Sequence, residues 1–287
     1  MSYITQIGKR YLKKPLESYP AEWGNLPGSA ENFYKDYLEA ERKMIPTPKA
    51  LRDEYMSLVG AIGYTPSRPE ICYYWGILCR CLTFATSAML LHATRVLVYL
   101  MRTKNLGLLY SGKGEGAGQP EAYSDSDWET TRSCTGYGIK LAGALITWYS
   151  RRQHCIALSS TEAELMAMGA CAREMLYVKF ILEDLLVIFT TPFPLFTDNK
   201  GSYDLCHRYS SGQHSRHVNR QYFKARELRG GGIICIIKVD TGSNWSDIFT
   251  KAVSVQLFKK HVASILGMRC SSDGSAFIAI AFTPEAV

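Results

Sequence analysis

Ser159-Ser160-Thr161-Glu162-Ala163-Glu164-Leu165-Met166-Ala167 sets two carboxylates two residues apart where a helix begins. Successive helical residues turn by about 100°, so Glu162 and Glu164 point to roughly opposite sides and have different tasks. With Ser159 as N-cap, Glu162 stands at N3 of a Ser-x-x-Glu capping box and has a structural role. Glu164 then shares a face with Met168, Cys171 and Met175 and is carried toward whatever that apolar face covers. A second parse, with Thr161 as cap and Glu164 at N3, meets the same motif; the apolar periodicity favours Ser159.

Working outward, the helical pattern runs over 160–186. Before it lie short extended segments at 122–128, 136–141, 144–148 and 154–158. After it come a strand at 194–197 leading into a helix, a basic helix at 215–229, a strand at 233–239 and a last helix ending at Gly267. Grouped strands followed by helices alternating with two more strands predict an α/β fold, a mixed sheet with helices packed on it. Residues 1–110 read differently. Ile4, Ile7, Tyr11 and Leu12 recur at helical spacing, as do Leu90, Leu91, Leu97, Val98 and Tyr99, with prolines at 15, 20, 27, 46, 48, 66 and 69 as punctuation. The polar, glycine-rich stretch 111–120 is read as a linker, 121–267 as the second domain and 268–287 as a tail with an apolar run at 276–282.

A chain of 287 residues, 47% hydrophobic and 21% charged, has the composition of an ordinary folded protein. Its formal charge of +7 leans toward a polyanionic partner without deciding it. The nine cysteines are odd in number, scattered and mostly set in apolar runs, as expected of reduced thiols in an intracellular protein. Cys79-Arg80-Cys81 lacks a partner pair at zinc spacing. The opening Met1-Ser2-Tyr3-Ile4-Thr5-Gln6 does not read as a secretory leader, and the apolar segment 88–100, broken by His92 and Arg95, is too short to span a bilayer, so no membrane role is expected.

Four acids fall where a sheet-based site would need them. Asp125 lies on the first strand, Glu164 in the first turns of the long helix, Asp198 where a strand ends and a helix begins, and Asp247 at the start of the final helix. Strand ends and helix starts gather at one edge of such a sheet. Clustered carboxylates repel one another unless cations neutralise them, and two Mg²⁺ ions would do so. Such a pair activates water and stabilises the leaving oxygen of a phosphodiester. Each acid also has a plain reading: Asp198 and Asp247 as helix caps, Asp125 as a solvated strand residue. Asp127 alternates onto the same strand face as Asp125 and stays open as its substitute.

At these residues the chain resembles the ribonuclease H domain of copia-type retrotransposon Pol polyproteins. The words that carry the resemblance are Tyr123-Ser124-Asp125-Ser126-Asp127-Trp128, Thr135-Gly136-Tyr137, Ala157-Leu158-Ser159-Ser160-Thr161-Glu162-Ala163-Glu164, Thr197-Asp198-Asn199, Ser215-Arg216-His217 and Asp247-Ile248-Phe249-Thr250-Lys251. They occur in the family's order across about 120–267. Upstream, Tyr55-Met56-Ser57-Leu58-Val59-Gly60 and Ser67-Arg68-Pro69-Glu70-Ile71 resemble the end of the reverse transcriptase and its connection. The aromatic-x-Asp-Asp polymerase signature is absent, so the resemblance implies a fragment that begins after the polymerase site.

The resemblance implies a five-stranded ribonuclease H-like sheet preceded by a smaller helical segment. It implies Asp125, Glu164, Asp198 and Asp247 as catalytic and metal-binding acids, with two Mg²⁺ or Mn²⁺ ions as cofactor. The implied reaction is hydrolysis of the RNA strand of an RNA:DNA hybrid, with the polymerase part of the same polyprotein as a further partner. The location implied is intracellular, in a cytoplasmic virus-like particle or the nucleus. Three departures stand out: a short hairpin at 129–133, Asn219 where Asp is usual, and no mobile histidine in 240–244. For the substrate, the basic run offers Arg208, Arg216, His217, Arg220, Lys224 and Arg229 to backbone phosphates, although a solvated surface helix would also carry such a run. A competing reading is a retroelement relic that binds nucleic acid without cutting it; a third, the related integrase fold, needs a different ordered acid set.

Overall fold

The extended segments after residue 120 assemble into a single sheet in the structure, a computed structural model that describes residues 2–29, 31–65, 67–111, 118–128, 132–207 and 223–268. The strands are β1 (Glu121–Ser126), β2 (Cys134–Leu141), β3 (Ala144–Arg152), β4 (Phe193–Thr197) and β5 (Ile234–Lys238). Their order is β3-β2-β1-β4-β5. The first three form an antiparallel meander, and β1, β4 and β5 run parallel. This mixed five-stranded sheet flanked by helices is the α/β fold, a mixed sheet with helices packed on it, that the sequence led us to expect. Residues 154–158, expected to be extended, form no strand, because β3 takes the chain through to Arg152 and a bend follows.

Helices α1 (Tyr3–Tyr11), α2 (Phe33–Lys43), α3 (Lys49–Gly63), α4 (Cys72–Arg80) and α5 (Ser87–Arg102) precede the sheet. Residues 1–108 form one compact unit together with 252–263. In its core Phe258 meets Tyr74 and Tyr99 edge-on at ring distances of 6.5 and 6.0 Å. A fully buried Glu70 pairs with Arg68 at 2.6 Å, and Arg68 also donates to the Thr103 carbonyl, so the charge is compensated where water is excluded. Residues 252–263, which the sequence reading placed in the second domain, thus group with the first.

The second unit comprises 109–251 and 264–268. Its sheet is covered by α6 (Ser160–Asp184), α7 (Lys200–His207) and α8 (Lys224–Gly230), and α9 (Val255–Ile265) closes the described chain. Met168, Cys171, Met175, Val178 and Leu182 of α6 are buried with Ala122, Ile139, Leu195 and Ile236 of the sheet. These recur every three or four residues, and that stripe holds the long helix along the strands. Burying them fully stabilises the unit by about 1.5–3 kcal/mol for each large side chain. Among the described residues no helix is long and apolar enough to cross a membrane.

Candidate active site

The start of α6 settles the two-carboxylate question. Ser159 is the N-cap, its hydroxyl accepting from the Glu162 amide at 3.1 Å, and Glu162 Oε2 in turn accepts from the Leu158 amide at 2.8 Å. This is the reciprocal logic of a capping box, shifted by one residue on the return bond. Thr161 is not the cap. Glu164, two residues beyond Glu162, is free to reach the sheet.

Topology then brings the other acids to it. Because β1 and β4 are parallel, with Tyr123 opposite Phe196, their carboxyl ends lie side by side; Asp125 is the penultimate residue of β1 and Asp198 directly follows β4. Asp247 arrives differently from the sequence reading. It lies in a separate 3₁₀ turn, Trp245–Phe249, six residues before α9 rather than at the start of that helix. Two glycines make room for this turn. A Cβ on Gly136 would come within 2.6 Å of the Thr250 methyl and 2.8 Å of the Phe249 Cβ, and one on Gly138 within 2.9 Å of the Trp245 ring. Gly136 is the partner of Asp125 across the ladder, so the missing side chain lets the turn carrying Asp247 settle over Asp125. Tyr123 stacks between Phe196 and Trp245, at ring distances of 4.4 and 4.5 Å, and fixes the base of the same wall.

Carboxylate oxygens of Asp125, Asp198 and Asp247 all lie within 4.8 Å of one another, with Asp125 and Asp247 buried and Asp198 half-buried. Glu164 is buried beside them, near enough that the charges of Asp125 and Asp198 act on it. Burial, then those two neighbours, push the Glu164 carboxyl well above the usual carboxylate range. Burial and then Asp125 raise Asp247 likewise, against the pull of Lys251. Asp127, the open alternative, instead accepts from the Cys134 amide and ties off the β1–β2 connection.

Three residues that sequence reasoning gave no role complete the site. The fully buried Asn244 donates to the Ser124 carbonyl and to Asp198 Oδ1, both at 3.2 Å, and its own oxygen caps the Trp245 turn. The Thr250 hydroxyl donates to Asp125. Lys251 Nζ stands 2.9 Å from Asp247 and 3.6 Å from Asp125. An Asn one residue ahead of Trp-Ser-Asp is a legible N-cap signal, whereas only three-dimensional pairing reveals the other two.

The donor set fits hard divalent cations, which take carboxylate oxygens. Oε2 of Glu164 is buried without a hydrogen-bond partner in the structure, an arrangement that is costly unless a cation or a proton satisfies it. Of the expected phosphate contacts, Lys224 pairs with Glu227 at 2.7 Å on α8, and Arg229 follows, half-buried, on the same helix. Arg208, Arg216, His217 and Arg220 lie outside the described residues.

No family model matches the chain. Several retrovirus-related Pol polyproteins from transposons do; that of transposon RE1 from Arabidopsis thaliana is 30% identical over 236 residues, 77% of this chain and 16% of that protein. The chain therefore spans about a sixth of the length of the polyproteins it matches. A protein of Plasmopara viticola named secreted RxLR effector protein 161 is 37% identical over 133 residues, 43% of this chain and 90% of that one. Among solved structures, ribonuclease H1 of Halobacterium salinarum aligns over 46% of this chain and 95% of its own, at 16% identity and a TM-score of 0.35.

Proposed function

We propose that the chain is a piece of a retrovirus-related Pol polyprotein of the kind it resembles, and that its second unit is a divalent-metal-dependent nuclease that hydrolyses the RNA strand of RNA:DNA hybrids. The observation that carries this reading is the meeting of Asp125, Asp198 and Asp247 within 4.8 Å, with the unpartnered Glu164 Oε2 buried beside them. In this reading Asp125, Glu164, Asp198 and Asp247 would hold two Mg²⁺ or Mn²⁺ ions. When bound, these supply an activated water and neutralise charge on the leaving oxygen. The chain's own residues orient the site: Thr250 holds Asp125, Asn244 holds Asp198, and the packed start of α6 keeps Glu164 in place. Water adds to phosphorus, the bond to the 3′ oxygen breaks, and the products carry a 3′-hydroxyl and a 5′-phosphate. Lys224 and Arg229, with the basic residues at 208–220, would contact backbone phosphates, with an affinity that falls as salt rises. The helical unit would correspond to the end of the reverse transcriptase and its connection, with the polymerase part of the polyprotein as partner, acting in a virus-like particle or the nucleus.

A labelled RNA:DNA hybrid tests the reading. Cleavage is expected with Mg²⁺ or Mn²⁺, with none in EDTA and none by Asp198→Asn. Undiminished cutting by that variant would refute the assignment. Absence of cutting in any metal would leave a relic that binds nucleic acid without cleaving it.

A further inference from the structure

Lys251 sits where a cation is called for. Its Nζ is 2.9 Å from Asp247 Oδ1 and 3.6 Å from Asp125 Oδ2, and these two aspartates belong to the three whose oxygens lie within 4.8 Å of one another. We propose that Lys251 is a tethered counter-cation that neutralises the carboxylate cluster in the metal-free protein and must swing away for a divalent cation to bind. The inference rests on the metal-dependent reading above and adds a competing residue to it.

The geometry supports a removable rather than a permanent partner. Both carboxylates are almost wholly buried, at 3% and 2% side-chain exposure for Asp125 and Asp247, whereas the Lys251 side chain is 43% exposed. A long stem reaching in from solvent can withdraw its head group to water without unpacking anything. The backbone at this point is anchored independently, since the Lys251 amide donates to the Asp247 carbonyl at 3.0 Å and the Thr250 hydroxyl holds Asp125. The ammonium can therefore leave while both carboxylates stay aimed. A compact monovalent charge cannot satisfy the whole set, because Glu164 Oε2 remains buried without a partner while Lys251 is in place. A divalent ion has both the charge and the coordination number to take over. In the metal-bound protein the freed ammonium would return to solvent beside the site.

The test compares the full chain with Lys251→Met and Lys251→Arg, using Mn²⁺ as the probe in calorimetric titrations, with urea unfolding in EDTA alongside. Loss of the competing charge should tighten Mn²⁺ binding by about tenfold in Lys251→Met, the scale of one hydrogen bond to a charged group. The same variant should unfold at lower urea in EDTA, and that deficit should vanish at saturating Mn²⁺. Lys251→Arg keeps a charge on a flexible stem and should restore near-native values for both. A merely structural lysine would lower stability with and without Mn²⁺ and leave the affinity unchanged, which would overturn the proposal while leaving the nuclease reading intact. Weaker Mn²⁺ binding by Lys251→Met would also overturn it. Failure of every protein to bind Mn²⁺ would overturn both this proposal and the nuclease reading.

Discussion

Raising the pH should weaken the metal-free protein, and the carboxylate cluster fixes the sign. Burial and like charges raise Glu164 well above the usual carboxylate range, and burial and Asp125 raise Asp247 to about 7. In the unfolded chain both titrate near about 4. From there upward, the folded chain holds protons that the unfolded chain has released, so stability falls as pH rises, by about 1.4 kcal/mol per pH unit for each such group. Asp247 contributes to that slope between about pH 4 and about 7, and Glu164 adds to it with the same sign. Lys251 is raised above its usual range, chiefly by Asp125 and Asp247 against the cost of burial; its stabilisation is fully present below the ordinary lysine pKa and so is constant in this window.

Glu164→Gln isolates one group, because the amide has nearly the same shape and never ionises. Urea unfolding in EDTA at half-unit steps from pH 5 to 8 should give a variant slope shallower than wild type, and a variant more stable than wild type at pH 8. Saturating Mg²⁺ should reverse the wild-type trend, since only the ionised acids bind it. A flat wild-type profile in EDTA, or a variant weaker than wild type at pH 8, would refute the electrostatic account of the site.

Two other substitutions separate packing from chemistry. Gly136→Ala should cost about 1–3 kcal/mol by overpacking and should weaken Mn²⁺ binding as well, because its Cβ would press on the Thr250 and Phe249 side of the turn that carries Asp247; denaturation and calorimetry read the two effects. Ser159→Ala removes the α6 cap and should cost about 1 kcal/mol in denaturation, with hybrid cleavage retained under conditions where the chain stays folded.

Periodicity made the long helix legible, and with it the separation of Glu162 from Glu164, because a helix turns by a fixed angle and a cap leaves a residue-type signature. Strand identity was legible where the alternation was strong. At 154–158 it failed, since a run of the right length carries no mark of whether a neighbouring strand exists to pair with it. Asp247 shows a second limit. The word Trp245-Ser246-Asp247-Ile248-Phe249 has helical character, but whether such a word opens a long helix or closes into one 3₁₀ turn depends on what lies beneath it. Here that is Gly136 and Gly138, more than a hundred residues earlier.

The same dependence explains why the acids could be named from sequence while their supports could not. Position at strand ends and helix starts made the acids candidates, and the family resemblance singled them out from their plain readings as caps or solvated residues. In one dimension Asn244 reads only as a cap and Thr250 and Lys251 only as residues of the final helix, and each acquires its role at the acids from the register that sets β1 beside β4 and beneath the Trp245 turn. Their chemistry follows from crowding. Three aspartates meeting within 4.8 Å must be neutralised by protons, a lysine or a metal, and the structure contains the means for each: raised carboxyls, an ammonium at 2.9 Å and an unpartnered oxygen on Glu164. A divalent cation can stand in for all three at once, so the features that make the metal-free site costly are the ones that would make metal binding favourable.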